Sequence, residues 1–370
     1  MSAAPSAAPV VEEVLPELRS CGPEPERGVP AKVRTFVEQV RAHLTELHRN
    51  QATGIEVIAT HSDLTDRLVR RLFHLAEESL LSDGGELESG VCVVAVGGYA
   101  RREMCIHSDV DLLVVHHGVL SPYVTAISER LQYWMWDAGL TVACATRTPE
   151  QTVELGREDN TVRTAVLTAR FLCGDSEFFH NFSETIRHEL LPDVSQFIDD
   201  QFEAIGARHR RYGESAFLLQ PNIKEGVGGL RDYHTAFWVA RGAQLTSRDF
   251  EDFLHVGLLT DTEMSDYRAA LNFLWRVRNE LHLESGRATD QISFEQQEQI
   301  AEALGYGPMS NETEELSVEV FMRDYYRHVR NIENYSELVM EQCRARVEKR
   351  TDSQEVKAEE DGFQLIDDHI

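Results

Sequence analysis

Basic residues are scarce in this chain of 370 residues, which carries 36 Lys and Arg against 63 Asp and Glu and has a formal net charge of −27. A protein that holds a polynucleotide needs a basic track, because counterion release supplies most of the affinity for the phosphate backbone. No such track is visible, so the composition argues against a nucleic-acid substrate or partner. We expect a protein or a small molecule as the acceptor instead.

Long apolar runs and paired cysteines are also missing. No segment approaches the roughly 18 uninterrupted apolar residues of a membrane span, and the N-terminus lacks a basic region leading into an apolar core. The six cysteines show neither Cys-x-x-Cys pairs nor zinc-like spacing. We therefore expect a cytoplasmic protein with reduced, mostly buried thiols and no membrane partner.

Two short apolar runs bracket a glycine pair and an acidic pair. Residues 91–96 are apolar, and a second apolar run, 112–115, follows Asp109-Val110-Asp111 directly. The pattern predicts strand, turn, strand. Because side chains alternate along a strand, Asp109 and Asp111 are expected on one face, with Val110 in the core. Two such carboxylates suit Mg²⁺, which proteins usually hold together with substrate phosphates.

Gly97 and Gly98 stand between these runs and let the backbone approach phosphates closely. We expect a helix starting around residues 99–103 to direct its N–H groups at the same place. Either feature alone has a simpler explanation, since a glycine pair is usually a turn and an Asp-x-Asp is often a solvated face. Their combination at the start of a buried-looking strand favours a phosphoryl or nucleotidyl transfer site.

The residues around this site resemble a known signature, with GGYARREM at 97–104 and SDVDLL at 108–113. The glycine pair and Asp-x-Asp are similar to the DNA polymerase β-type nucleotidyltransferase superfamily. The fuller string resembles one branch, the bacterial [protein-PII] uridylyltransferases. The resemblance implies that Arg101 and Ser108 join Gly97 and Gly98 in binding the nucleotide.

A second glycine-rich stretch reads QPNIKEGVGGLRDYHT over residues 220–235. Its glycines exclude a helix interior, and Asp232 is expected to cap a helix over residues 233–244. Lys224 and Arg231 flank the loop. They could neutralise a triphosphate or, at an interdomain hinge, pair with neighbouring acids; the residues alone leave both explanations open.

The same stretch resembles the signature PNxKxGxGGLRDxH of the uridylyltransferases, with Gln220 and Val227 where the family tends to have Glu and Pro. Two strings far apart in the chain thus point to one family, over about residues 31–346. The resemblance favours nucleotide-binding roles for Lys224 and Arg231.

A third strand, expected over residues 141–146, contains no acid, although the superfamily commonly places a third carboxylate there. Ala143-Cys144 stands where the uridylyltransferases often have Gly-His. The third metal ligand is therefore unassigned. Glu103 and Asp159 are the alternatives, and a surface or capping role explains each more simply.

Periodicity predicts helices at 31–49, 63–81 and 122–139, and only helices beyond residue 149: 149–157, 160–173, 176–190, 195–212, 261–283, 294–304 and 315–346. The basic cluster at 208–212 is explained by the dipole of the helix that it ends. We predict an α/β nucleotidyltransferase (polymerase β-like) domain with a mixed sheet at 30–150, followed by an all-α helical-bundle domain at 151–348. Residues 1–29 are expected to be a disordered tail, and 349–370 a charged linker leading into an incomplete segment.

The resemblance implies a Mg²⁺-dependent transfer of UMP from UTP to a tyrosine of the PII nitrogen-regulatory protein, with release of pyrophosphate. Asp109 and Asp111 would hold two metal ions, and Lys224 and Arg231 would offset developing charge. Two alternatives stay open: adenylyl transfer to another protein or small acceptor, and a degenerate module that binds nucleotide without turnover. The family continues into hydrolase and ACT domains absent from this sequence, so we expect neither uridylyl removal nor a direct glutamine response from this chain alone.

Overall fold

The computed structural model describes residues 25–245, 250–306 and 317–359, with side chains for 28–245, 250–306 and 317–350. It divides into two compact units. The first contains the described residues up to Leu190 together with 275–289 and 299–305, and the second contains the rest. The sequence predicted a boundary at residue 150, and the first unit as divided here continues through Leu190.

The first unit combines helices with four strands. In chain order its elements are α1 Pro25–Arg49, α2 Gly54–Ser82, β1 Val91–Ala95, α3 Gly97–Ala100, β2 Val110–His116, α4 Pro122–Asp137, β3 Val142–Arg147, α5 Pro149–Glu158, α6 Asn160–Leu167, β4 Arg170–Gly174 and α7 Ser176–Leu190.

The four strands form one mixed sheet in the order β3-β2-β1-β4. β1 pairs antiparallel with both β2 and β4, and β2 pairs parallel with β3. Every residue of β1 is buried, as expected of a central strand. The predicted α/β domain with a mixed sheet is confirmed.

One face of this sheet packs against helices α1, α2 and α4. Alternate residues of β1 and β2 face these helices, and the same core contains Val33, Phe36, Leu64, Leu72, Ile127, Leu131, Val91, Val93, Val110 and Leu112. Because neighbouring strand residues point to opposite faces, Asp109 and Asp111 alternate with this buried set. The core thus fixes the face on which the acids stand.

Helix α2 begins at Gly54 rather than at the predicted Asp63, because Thr53 and Glu56 form a capping box. The Thr53 amide donates to Glu56 Oε2 at 2.7 Å, and the Glu56 amide donates to Thr53 Oγ1 at 3.2 Å. These two bonds satisfy N–H groups that the first helical turn leaves open. The apolar stripe indicated the helix, whereas the cap sets its start.

Strand β4 overturns the prediction of a helix over residues 160–173. The helix ends at Leu167, and β4 then pairs with β1, matching Phe171 to Val94 and Gly174 to Cys92. Five residues are too few to show a clear period, and the partner strand lies far away in sequence. Tertiary pairing therefore decided the structure here.

The second unit is helical in its described part apart from one isolated bridge between Asn222 and Gln291. In chain order its helices are α8 Val194–Tyr212, α9 Leu230–Gly242, α10 Asp252–His255, α11 Asp261–Ser285, α12 Phe294–Ala303 and α13 Ser317–Glu359. The last residues of α11 and of α12 belong to the first unit. Large buried side chains, including Tyr267, Phe253, Phe321 and Tyr325, fill its core. The predicted helical region is confirmed.

Each predicted tail overlaps a described helix. Helix α1 begins at Pro25, inside the predicted disordered tail, and α13 reaches Glu359, inside the predicted linker. Residues 1–24 and 360–370 lie outside the described residues.

The five cysteines in the described part of the chain are free, and four of them are buried. None of the helices described here is both long enough and apolar enough to cross a membrane.

Candidate functional site

Gly97 lies directly beside the carboxylate of Asp111. The antiparallel register pairs Ala95 with Leu112, and the Val96 amide donates to the Asp111 carbonyl at 3.1 Å. Gly97 has φ +61°, and a Cβ placed on it would lie 2.9 Å from Asp111 Oδ2. Both the backbone conformation and the nearby carboxylate therefore favour glycine.

The acidic pair keeps the predicted alternation. Asp109, one residue before β2, is exposed, Val110 is buried and Asp111 is half-buried. Two carboxylates beside a glycine turn fit Mg²⁺ if a substrate supplies the remaining oxygens, because this ion is usually held by one or two carboxylates plus phosphates.

The sheet supplies no third acid. Asp111 pairs in parallel register with Ala143, so a residue without polar atoms occupies the neighbouring position on β3. Among the described residues, no group of three or more His, Cys, Asp and Glu side chains is placed to hold a metal. The two aspartates are the available carboxylate ligands at the turn.

The turn after Gly98 is tighter than predicted. The helix expected from residues 99–103 is instead the single turn α3, and Arg102 follows it with φ +63°. The Glu103 amide donates back to the Gly98 carbonyl at 3.0 Å. The left-handed residue reverses the chain, which ends the helix after one turn.

Arg101 and Glu103 pair with each other inside this turn. Arg101 Nε lies 2.8 Å from Glu103 Oε2, and both side chains are buried. Glu103 is therefore not the surface acid that the sequence suggested. Asp159 does cap a helix, as predicted, since its carboxylate accepts from the Thr161 amide at 2.6 Å. Ser108 is half-buried beside the acidic pair.

Sequence reasoning missed Arg170 and Asp66, which stabilise the backbone of the glycine turn. Arg170, on β4, binds both carboxylate oxygens of Asp66 at 2.6 and 2.9 Å. Its Nε and Nη2 also donate to the carbonyls of Ala100 and Tyr99 at 3.1 and 3.2 Å. Charge-assisted, bidentate bonds of this kind fix geometry strongly. Arg170 lies on the strand that periodicity did not reveal, so no local signal marked it.

Tyr99 is a packing residue at this turn. Burial raises the pKa of its phenol well above the usual value, and the charge of Asp66 raises it further. The Arg170 guanidinium lies 5.4 Å from the centre of the ring. The phenol stays neutral at physiological pH and packs under the turn.

The second glycine-rich loop lies in the second unit and is closed by its own hydrogen bonds. Asn222 Oδ1 accepts from the amides of Lys224 and Glu225 at 3.1 and 2.7 Å. The Leu230 amide donates to the Ile223 carbonyl at 3.1 Å. Helix α9 begins at Leu230, three residues earlier than predicted.

Asp232 does not cap this helix as predicted but lies within its first turn. Its carboxylate accepts from the Gly228 amide at 2.6 Å and lies 3.0 Å from His209 Nε2. Arg208 binds the same carboxylate. Two members of the basic cluster that ends α8 therefore have a specific partner, beyond the helix dipole.

Arg231 pairs with Glu225 at 3.0 Å and lies 5.5 Å from the centre of the Trp238 ring. Pairing with a neighbouring acid was one of the two explanations left open by the residues alone. Gly97, Gly98, Arg101, Ser108, Asp109 and Asp111 belong to the first unit, and Lys224 and Arg231 to the second. A nucleotide-binding role for these two cations stays a prediction.

Two family models match the chain. The model described as a putative nucleotidyltransferase, DUF294, matches residues 38–148, which contain the glycine turn and the acidic pair. The model described as GlnD PII-uridylyltransferase matches residues 196–340, which contain the second glycine-rich loop.

Similar curated proteins are called bifunctional uridylyltransferase/uridylyl-removing enzymes. One from Cereibacter sphaeroides is 36% identical over 351 residues, which cover 92% of this chain and 37% of the relative. One from Erythrobacter litoralis is 34% identical over 313 residues, which cover 83% of this chain and 34% of the relative. The chain thus spans little more than a third of the length of these relatives. From its two motifs, its fold and these matches, we conclude that the chain is similar over most of its length to the nucleotidyltransferase part of the PII-uridylyltransferases.

Proposed function

We propose that this chain transfers UMP from UTP to a tyrosine hydroxyl of a PII-type signalling protein and releases pyrophosphate. The observation that carries the proposal is the approach of the Asp111 carboxylate to the Gly97 turn, with Asp109 two residues before it. This combination brings metal-binding oxygens and a phosphate-accommodating backbone to one place. The names of the similar proteins support uridylyl transfer.

In the proposed reaction the tyrosine oxygen forms a bond to the α-phosphorus of UTP, and the bond from that phosphorus to the pyrophosphate oxygen breaks. The hydroxyl proton passes to solvent. Mg²⁺ held by Asp109 and Asp111 would lower the pKa of the attacking hydroxyl and stabilise charge on the leaving oxygens. Gly97 and Gly98 let the backbone approach the phosphates, and Arg170 with Asp66 keeps that backbone in place.

The charge balance of the chain agrees with a protein acceptor. A net charge of −27 repels a polynucleotide, whereas a single tyrosine on a folded protein requires no extended basic track. The cytoplasmic location that the sequence predicts, where the thiols stay reduced, belongs to the same proposal.

The absence of an acid at Ala143 favours a second candidate function, nucleotide binding without turnover. Ala143 stands beside Asp111 where the superfamily commonly has an acid, and a site with fewer ligands could bind nucleotide without turnover. In that case the chain would be a regulatory nucleotide-binding module.

Mass spectrometry separates the candidates. The chain is incubated with a PII protein, Mg²⁺ and either UTP, CTP, ATP or GTP, and both proteins are then weighed. We expect PII to gain one UMP from UTP only, and no gain when EDTA removes the metal. Gain of AMP from ATP would indicate an adenylyltransferase. Nucleotide binding without pyrophosphate release would indicate the regulatory module.

A further inference from the structure

A cavity of about 320 Å³ opens beside Asp109 within the first unit. Its floor is apolar and includes Phe36 and Val40 of α1 and Leu68 of α2, all buried. We call this cavity the Arg41 pocket, defined by Phe36, Val40, Arg41, Leu68, Asp109 and Arg287. A cavity of this volume lies at the low end of the range of small-molecule sites.

Two arginines supply the positive charge of the Arg41 pocket. Arg41 is half-buried on α1, and Arg287 follows the end of α11. Within the described part of the chain, neither guanidinium has a hydrogen bond or an ion pair to another residue. Asp109 is the single acid that lines the pocket, and it is not within ion-pair distance of either arginine.

Among the described residues the half-buried Arg41 has no carboxylate partner. Other arginines of the same unit bind carboxylates: Arg101 binds Glu103, and Arg170 binds Asp66. A half-buried guanidinium without a partner has given up part of its hydration without recovering hydrogen bonds. This argument applies to Arg41, since Arg287 is exposed. The two guanidinium groups line one cavity, and this arrangement suits an anionic ligand.

His61 and Ser108 also line the pocket, and neither adds a negative charge that would offset the two arginines. His61, deeper in the pocket, lies within hydrogen-bond distance of the carbonyls of Met104 and Cys105, at 3.2 and 3.0 Å from Nδ1. Burial lowers its pKa to about 4, so the ring is neutral at pH 7. The Ser108 hydroxyl lines the same pocket as a further donor.

We propose that the Arg41 pocket binds a nucleoside phosphate, with Arg41 and Arg287 pairing with its phosphate oxygens above the apolar floor. Planar guanidinium groups match phosphate geometry, and the apolar floor suits an organic body attached to it. The pocket lining includes Asp109 but neither Gly97 nor Asp111. The ligand is therefore either the substrate nucleotide reaching past Asp109, an identification that rests on the proposed function, or a separate phosphorylated effector.

Isothermal titration calorimetry on the full chain, without Mg²⁺ and without PII, tests this site with pyrophosphate and UTP as probes. We expect Arg41→Gln and Arg287→Gln each to weaken binding of both probes by about tenfold, because each removes a charge-assisted contact. Arg67→Gln is the matched control, since Arg67 is exposed on α2 and does not line the pocket; its affinity should equal that of the wild type.

Two further measurements complete the test. Arg41→Lys and Arg287→Lys keep the charge but lose the forked geometry, so their affinities should lie between wild type and Gln variants; circular dichroism checks that every variant folds. A raised KM for UTP in the Arg41→Gln/Arg287→Gln double variant would assign the pocket to the substrate, and an unchanged KM together with weakened pyrophosphate binding would assign it to an effector.

Wild-type affinity in the Arg41→Gln/Arg287→Gln double variant, or no binding by the wild type, overturns the proposal. The two proposals fail separately. Binding that depends on both arginines in a chain that transfers no UMP would refute only the proposed function. UMP transfer by a chain whose double variant binds both probes with wild-type affinity would refute only the pocket.

Discussion

Gly97 and Asp111 meet because β1 and β2 are antiparallel neighbours. The register places the residue after β1 opposite the second residue of β2, and an added Cβ at Gly97 would lie 2.9 Å from Asp111 Oδ2. Gly97 therefore leaves open the space that the carboxylate occupies. The first prediction tests this relationship directly.

Gly97→Ala should lower both stability and UMP transfer, because it adds a clash with Asp111 to the strain of a left-handed backbone. Gly118→Ala is the matched control: Gly118 has φ +72°, and nothing lies within 4 Å of a Cβ placed there. The control should cost about 1 kcal/mol, from the backbone alone, and keep full activity. Urea unfolding and transfer assays measure both effects. Equal losses in the two variants would show that the carboxylate contact is unimportant.

Asp109→Asn and Asp111→Asn should each reduce UMP transfer by several orders of magnitude, because loss of metal-centred stabilisation removes several kcal/mol from the transition state. Folding should be little affected at the exposed Asp109. Asp159→Asn, which changes a helix-capping acid instead, is the control and should retain activity. Transfer of radiolabelled UMP by the Asp109→Asn/Asp111→Asn double variant at the wild-type rate would disprove the metal assignment.

Ala143→Asp should lower the Mg²⁺ concentration needed for half-maximal transfer. Ala143 is exposed and pairs with Asp111 in parallel register, so the new carboxylate stands on the same face. Ala143→Asn keeps the size without the charge and should leave the Mg²⁺ dependence unchanged. Identical Mg²⁺ titrations for both variants would show that β3 is too far from the metal.

Arg170→Gln should destabilise the first unit by about 3 kcal/mol, because the largely buried Asp66 carboxylate loses its bidentate partner and keeps the longer contact to Arg70 at 3.6 Å. Transfer activity should fall as well, since the carbonyls of Tyr99 and Ala100 lose their donor. Arg187→Gln breaks an exposed pair with Glu184 and should have no measurable effect. Urea unfolding compares Arg170→Gln with Arg187→Gln. An unchanged unfolding midpoint in Arg170→Gln would show that Arg170 does not stabilise the glycine turn.

His61 should make folding stability fall between pH 6.5 and pH 4. Burial lowers its folded-state pKa from 6.5 to about 4, so in this window the unfolded chain binds a proton that the folded chain excludes. The resulting loss of stability is absent above pH 6.5, grows as pH decreases and amounts to roughly 3 kcal/mol at pH 4. His61→Asn should show a shallower slope of unfolding free energy against pH. Parallel slopes would refute the depressed pKa.

The alternation of the acidic pair and most helices could be predicted because their signals are local. The alternation around Val110, the glycine pair and the apolar stripes each occupy a short window, and a window reports the period of the element. The helix ends were predicted less well. Thr53 and Gly229 set the true starts of α2 and α9, through caps and turns that an apolar stripe does not contain.

Strand β4 and the Arg170–Asp66 pair could not be predicted in this way. A five-residue strand shows no clear period, and Arg170 acquires its role from pairing with β1 and from the position of α2. Likewise, Arg231 has a charge in the sequence, but only the loop geometry gives it Glu225 as a partner.

The sequence by itself determined the chemical types: two carboxylates a strand period apart, a glycine turn, an acidic surface and a helical remainder. Tertiary structure decided which atoms meet. It brought Gly97 next to the Asp111 carboxylate and brought Arg170 into hydrogen-bond contact with the turn. It also placed Arg41 and Arg287 in the lining of one cavity. The physical reason is that periodicity depends on neighbours in the chain, whereas register, burial and charge pairing depend on segments that are far apart in sequence.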